Sequence, residues 1–123
     1  MKTVIWIASA KKDLEDLPKS VIRTFGYALF QAQQGDHPDI AKVLKGFGSA
    51  EVIELVDDDA GGTFRAVYTV RFADAIIVLH VFQKKSKKGI ETSKQDIELI
   101  HARLKRAIDA YKEWKLKGKQ NGP

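Results

Sequence analysis

The chain has 123 residues, enough for one domain that removes roughly two-thirds of its unfolded surface from water without covalent staples. It contains no cysteine, which excludes disulfides and thiolate metal sites. No segment reaches the run of about 18 apolar residues that a membrane span needs, and no signal-peptide pattern is present, so we expect a cytoplasmic protein.

Positive charge is concentrated in the second half of the chain. Residues 1–62 carry seven Lys and Arg against ten Asp and Glu, a balance of −3. Residues 63–123 carry fourteen against six, a balance of +8, and the two halves sum to +5. A field of one sign attracts polyanions and raises their encounter rate. The composition therefore favours an anionic partner, although a solvated basic surface would have the same charge.

The first half of the chain predicts one strand followed by helices. Residues 3–8 predict a short strand, and the continuous apolar run at 4–7 within it is typical of a strand buried on both faces. Ser9 predicts the cap of a short helix over 10–16. A second helix follows, with apolar residues at helical spacing until Gly35. Residues 40–44 predict a single further helical turn.

The second half predicts three strands and one long helix. Residues 51–56, 63–71 and 75–84 alternate with short polar connections, as in an antiparallel meander. Thr92 and Gln95 match the capping box of a long helix that begins at about residue 93. The order βααβββα predicts an α+β fold, with a small, mostly antiparallel sheet and helices packed on one face.

A dense cluster of lysines follows the last predicted strand. Four ammonium groups fall within five residues, at Lys84, Lys85, Lys87 and Lys88. Lysines bind phosphates as point charges with a strong salt dependence, so we assign Lys84 and Lys85 to a catalytic site for RNA and Lys87 and Lys88 to RNA binding. Lys84 and Lys85 point to opposite faces of a continuing strand, so only one of them reaches a shared cleft. The alternative is a solvated turn.

Arg65 is the candidate for transition-state stabilisation. Metal-free RNA cleavage uses the 2′-hydroxyl as nucleophile on the adjacent phosphate, so the protein must supply positioning, proton transfer and charge compensation. A guanidinium suits the last task because its planar fork binds two oxygens and stays charged. The alternative is a structural ion pair between Arg65 and Glu54 on the neighbouring strand.

Two further residues are candidates for proton transfer. His80 is the only histidine placed for this role, and a satisfied core histidine is the alternative. Tyr68 could stack on a base or move a proton, but it faces away from Arg65 on a regular strand, and core packing explains it equally. The histidines have no zinc-like spacing, so we expect neither a metal nor a cofactor.

The pattern Arg-x-x-Tyr followed by Leu-His-x-Phe-x-Lys-Lys, over residues 65–68 and 79–85, resembles the RelE/HigB-type toxins of type II toxin–antitoxin systems. The phage-derived HigB-like branch is the most similar, and the resemblance covers about residues 3–111. Lys42 and Lys45 fall where such toxins carry RNA-binding basic residues. Two features depart from the pattern: Val56 replaces a basic residue, and a long helix replaces a short tail with a catalytic tyrosine.

The resemblance implies a ribosome-dependent mRNA endonuclease that works without metal or cofactor and inhibits translation. We expect one toxin domain over residues 1–116, and the polar, glycine-containing residues 117–123 predict a disordered tail. The resemblance also implies a cognate helix-turn-helix antitoxin, which could contact the exposed ends of Tyr111 and Trp114. The alternative is a catalytically inactive regulatory module of the same fold that binds RNA or the antitoxin.

Overall fold

The computed structural model describes residues 1–49, 51–59, 61–84 and 92–120, except for the side chains of residues 119 and 120. The elements of this part of the chain are, in order, β1 (Thr3–Trp6), α1 (Ala10–Glu15), α2 (Lys19–Gln33), β2 (Ala41–Val43), β3 (Val52–Asp59), β4 (Gly62–Thr69), β5 (Ala75–Lys84) and α3 (Lys94–Gln120).

The strands form one sheet in the order β1-β5-β4-β3-β2. β1 runs parallel to β5, and the other neighbours are antiparallel, so the predicted α+β class and mostly antiparallel sheet are confirmed. The helical turn predicted at 40–44 is wrong, because Ala41–Val43 pairs with β3 as an edge strand. So short a segment gains little from a single helical turn, whereas β3 offers it backbone partners.

The helices cover both faces of the sheet, which corrects the expectation of helices on one face. Phe25 and Leu29 of α2 pack on one face, against a cluster that includes Tyr68. Ile100 and Ala107 of α3 pack on the opposite face. The central strands β4 and β5 are apolar on both sides, so each side must be covered.

A β-bulge in β5 changes which residues face α3. Val67 pairs with His80 and Tyr68 pairs with Val78, which leaves Leu79 as an extra residue. Leu79 packs in the cluster beneath α3, and the neighbouring His80 bonds to Asp96 of the same helix. The bulge thus lets two successive residues of β5 contact α3.

The start of α3 is capped one residue later than predicted. The Asp96 N–H donates to Ser93 Oγ at 3.2 Å, and Ser93 Oγ donates to the Asp96 carboxylate at 2.7 Å. Ser93 is therefore the N-cap, and Thr92 is left to bond elsewhere. At its other end α3 continues to Gln120, so residues 117–120 of the predicted tail are helical, and 121–123 lie outside the described part.

Candidate functional site

A pocket of about 420 Å³ opens between β2, β3, β4 and the start of α3. Its volume lies in the range of small-ligand sites, roughly 300–1,000 Å³. The lining residues come from four separate segments of the chain: Lys42, Val43, Leu44, Lys45, Glu54, Arg65, Thr92 and Ile97. The pocket therefore exists only once the sheet and α3 have assembled.

A buried ion pair forms the floor of the pocket. Arg65 Nη1 lies 2.5 Å from Glu54 Oε1, and both side chains are almost completely buried. The β3–β4 register pairs Val56 with Arg65 and Glu54 with Val67, so Glu54 and Arg65 are diagonal neighbours on the face toward α3. The ion pair that the sequence offered as the alternative for Arg65 is therefore present.

Two further residues contact the Glu54 carboxylate, one by a hydrogen bond and one as an ion pair. Thr92 Oγ1 donates to Glu54 Oε2 and accepts from Arg65 Nη1 at 3.2 Å. Lys42 Nζ lies 3.6 Å from Glu54 Oε1, and half of the Lys42 side chain is exposed. Sequence patterns did not reveal this role for Thr92, because its spacing to Gln95 matched a helix cap.

The lining of the pocket carries a net positive charge. It contains the three cations Lys42, Lys45 and Arg65 and the single carboxylate of Glu54, so three minus one leaves +2. Lys42 and Lys45 are exposed at the mouth, and Arg65 is buried at the floor. Such a distribution attracts phosphate groups from solution.

The lysine cluster lies partly beyond the described residues. Thr63 pairs with Lys84 and Arg65 with Phe82, so Lys84 is on the same sheet face as Arg65. Lys84 is partly exposed. Lys85, Lys87 and Lys88 fall in the segment 85–91, which lies outside the described part of the chain. Of the predicted cluster, one lysine thus shares the face of the candidate site.

His80 is held by protein groups on both ring nitrogens. Its Nε2 lies 2.9 Å from Asp96 Oδ1, and its Nδ1 lies 3.5 Å from Arg103 Nη1. A guanidinium can only donate, so Nδ1 accepts and Nε2 carries the proton that is donated to Asp96. Burial lowers the pKa of His80, and Asp96 opposes that shift. The imidazole is therefore neutral, and it is not among the lining residues of the pocket.

Tyr68 lies on the other face of the sheet, in the core beneath α2. Only 1% of the residue is exposed, and burial raises the pKa of its phenol to about 12. The structure does not bring Tyr68 together with Arg65, because the two side chains lie on opposite faces of β4. Core packing, the alternative for Tyr68, is what the structure shows.

The aromatic residues near the end of α3 also have internal partners. The Tyr111 hydroxyl donates to Asp74 at 2.5 Å, and its ring stacks on Phe72 with centroids 4.3 Å apart. Trp114 lies beside Tyr111 at 5.8 Å and is half-buried. These contacts fix α3 to the loop before β5, so an antitoxin contact would be an additional role.

The described residues contain neither a metal-binding group nor a membrane-spanning helix. No group of three or more His, Asp or Glu residues there is arranged to hold a metal ion. None of the helices in that part is both long and apolar enough to cross a bilayer.

Two solved structures are similar to the chain, and the first of them has the same fold. The crystal structure of the isolated E. coli RelE toxin aligns with a TM-score of 0.54 and 16% identity, over 83% of this chain and 98% of that one. The RelBE2 toxin–antitoxin complex of Mycobacterium tuberculosis aligns with a TM-score of 0.48 and 20% identity, over 68% of this chain and 98% of that one. No curated protein matches the chain.

A sequence family covers most of the chain. The family described as phage derived protein Gp49-like (DUF891) matches residues 12–105, which include the whole pocket lining. This match confirms the resemblance drawn from the strand motifs. The chain belongs to the phage-derived Gp49-like family, a RelE/HigB-type toxin family.

Proposed function

We propose that the protein is the toxin of a type II toxin–antitoxin system and that it cleaves mRNA on the ribosome. The observation that carries this proposal is the pocket with two exposed lysines at its mouth and the Arg65–Glu54 pair at its floor. Cations at the mouth attract the phosphate backbone, and the pair supplies a guanidinium for the chemistry. The family of the chain and the fold that it shares with RelE support the same assignment.

Each charged residue of the pocket has a role in this proposal. Lys42 and Lys45 hold the scissile phosphate, and Arg65 compensates the charge that builds on the phosphorane oxygens. The 2′-hydroxyl gives its proton to solvent water as the O2′–P bond forms, while the buried Glu54 carboxylate holds Arg65 in position. The P–O5′ bond then breaks, and the leaving oxygen takes a proton from the ammonium of Lys45. The products are a 2′,3′-cyclic phosphate and a free 5′-hydroxyl.

A second candidate function is a module of the same fold that binds RNA without cleaving it. The specific observation in its favour is that Arg65 Nη1 already bonds to both Glu54 and Thr92. A guanidinium used mainly to neutralise a buried carboxylate would stabilise the fold rather than a transition state. The two functions differ in one measurable respect, the appearance of new message ends.

The proposed partner is an antitoxin with a helix-turn-helix DNA-binding domain, as the family implies. We expect it to present carboxylates to the mouth of the pocket, where Lys42 and Lys45 are exposed. Growth arrest on expression, with rescue by the neighbouring gene, would support this partner. Harmless expression of soluble protein would favour the binding module.

The test is primer extension on a message translated with and without the purified protein. New ends should appear only with active translation. Arg65→Lys keeps the charge beside Glu54 but loses the planar fork, so cleavage should fall by about 10²–10³. Arg23→Lys makes the same change on the exposed surface of α2 and should cleave like the wild type.

Three outcomes would change the assignment. Unchanged cleavage by folded Arg65→Lys protein would remove Arg65 from catalysis. Wild-type protein that sediments with ribosomes but leaves every message intact would favour the binding module. Cleavage of a free, untranslated message at the same rate would contradict the dependence on the ribosome.

A further inference from the structure

We infer that His80 is a positioning residue for the candidate site, not a proton-transfer group. It fixes the first turn of α3, and thereby places Thr92 against Glu54 and Arg65. The assignment of this network to cleavage rests on the proposed function, whereas the coupling itself is a property of the folded protein.

The first step of the coupling joins β5 to the cap of α3. His80 Nε2 donates to Asp96 Oδ1 at 2.9 Å, while the other carboxylate oxygen accepts from Ser93 Oγ at 2.7 Å. Ser93 also accepts the Asp96 N–H, so the carboxylate completes the N-terminal cap. His80 thus holds the residue that closes the first turn of the helix.

The second step joins the cap to the pocket. Thr92 directly precedes Ser93, so a single peptide bond separates the cap from the hydroxyl that bonds to Glu54 and Arg65. The start of α3 is therefore held on one side by β5 and on the other by the floor of the pocket. A displaced cap would move the Thr92 hydroxyl, and with it one of the partners of Glu54.

Arg103 holds the His80 imidazole at Nδ1, the ring nitrogen that does not contact Asp96. Arg103 Nη1 donates to the Leu79 carbonyl at 2.9 Å and lies 3.5 Å from His80 Nδ1. Arg103 Nη2 donates to Ser9 Oγ at 3.3 Å, at the start of α1. Because the guanidinium requires an acceptor at Nδ1, it selects the tautomer that carries the proton on Nε2. The bulge at Leu79 turns His80 toward this arrangement.

The positioning role and the proton-transfer role make different predictions for His80→Gln. A glutamine amide can reach the position of Nε2 and donate to Asp96, but it cannot titrate between pH 5 and 8, where a histidine does. His80→Ala removes the donor altogether. Positioning is sensitive to small displacements, since about 1 Å of misplacement can cost about 10²-fold in rate.

The experiment compares single-turnover cleavage and message binding for these variants in the full chain. We expect His80→Ala to lose roughly ten- to a hundredfold in the cleavage rate, with affinity for the programmed ribosome within about twofold. His80→Gln should stay within about threefold of the wild type and keep the same pH profile. His101→Ala is the matched control, because this histidine of α3 stacks on Phe47 and should leave cleavage unchanged.

A second measurement does not depend on cleavage. In free protein, the NMR signals of the Thr92 amide and the Arg65 side chain should shift in His80→Ala and return in His80→Gln. Unmoved signals in His80→Ala would overturn the coupling, and a lost limb of the pH profile in His80→Gln would show proton transfer instead. A wild-type protein that cleaves no message would refute the proposed function, while the NMR comparison would still decide the role of His80.

Discussion

Replacing Arg65 by methionine should destabilise the fold far more than replacing Arg65 and Glu54 together. Arg65→Met leaves the Glu54 carboxylate in the interior, where 0% of the residue is exposed, without the guanidinium that lies 2.5 Å away. Removing one partner of such a pair costs about 3–5 kcal/mol, because the remaining charge stays buried and uncompensated. The double variant Glu54→Leu/Arg65→Met fills the same space with apolar groups, and it should recover most of that loss.

In Arg65→Met, the remaining partners of Glu54 compensate only a small part of the lost ion pair. Lys42 stands 3.6 Å from the carboxylate, but its side chain is half exposed, so solvent screens its attraction. Thr92 supplies a hydrogen bond but no charge. In the double variant both groups can turn to water, since Lys42 is exposed and Thr92 is partly exposed. We therefore expect Arg65→Met to lose about 3–5 kcal/mol of unfolding free energy, the usual cost of breaking a buried ion pair.

Urea unfolding of Glu54→Leu, of Arg65→Met and of the double variant measures the coupling free energy between Glu54 and Arg65. Cleavage assays on the same proteins separate stability from chemistry, because the double variant should fold and yet leave the translated message intact. A loss of unfolding free energy below about 1 kcal/mol for Arg65→Met would refute the reasoning, because a buried charge without its partner destabilises the fold by more than that. A double variant that still cleaves would refute the catalytic assignment of Arg65 and the positioning role of Glu54.

Three further results are expected. Lys45→Gln should weaken ribosome binding and reduce the salt slope by about 1, whereas Lys19→Gln on α2 should change neither measurement. Tyr68→Phe should leave cleavage unchanged and remove a phenol that titrates at about 12, as an ultraviolet titration would show; reduced cleavage would contradict its place in the core. Burial lowers the pKa of His80 below 6.5, so the unfolded chain takes up the proton first, and the free energy of unfolding should fall as pH drops through about 6.5. Urea unfolding at several pH values should show a shallower fall for His80→Gln, and equal slopes would contradict the lowered pKa.

The sequence by itself determined the α+β class, the mostly antiparallel sheet and the family. These follow from local information, because strand and helix periods are set by the side chains of each segment. The lysine motif after β5 and the arginine in β4 predicted an RNA site from neighbouring residues alone, and Lys85, Lys87 and Lys88 lie outside the described residues. The opposite directions of Arg65 and Tyr68 followed from the two-residue period of the strand.

Only the tertiary structure decided which partners each polar residue contacts. Arg65 fitted both a transition-state donor and a partner of Glu54, and the β3–β4 register placed the pair together. Thr92 fitted a helix cap, yet Glu54 attracts its hydroxyl and Ser93 takes the cap. A buried carboxylate must recruit every donor within reach, and which donors lie within reach depends on how β2, β4 and α3 come together.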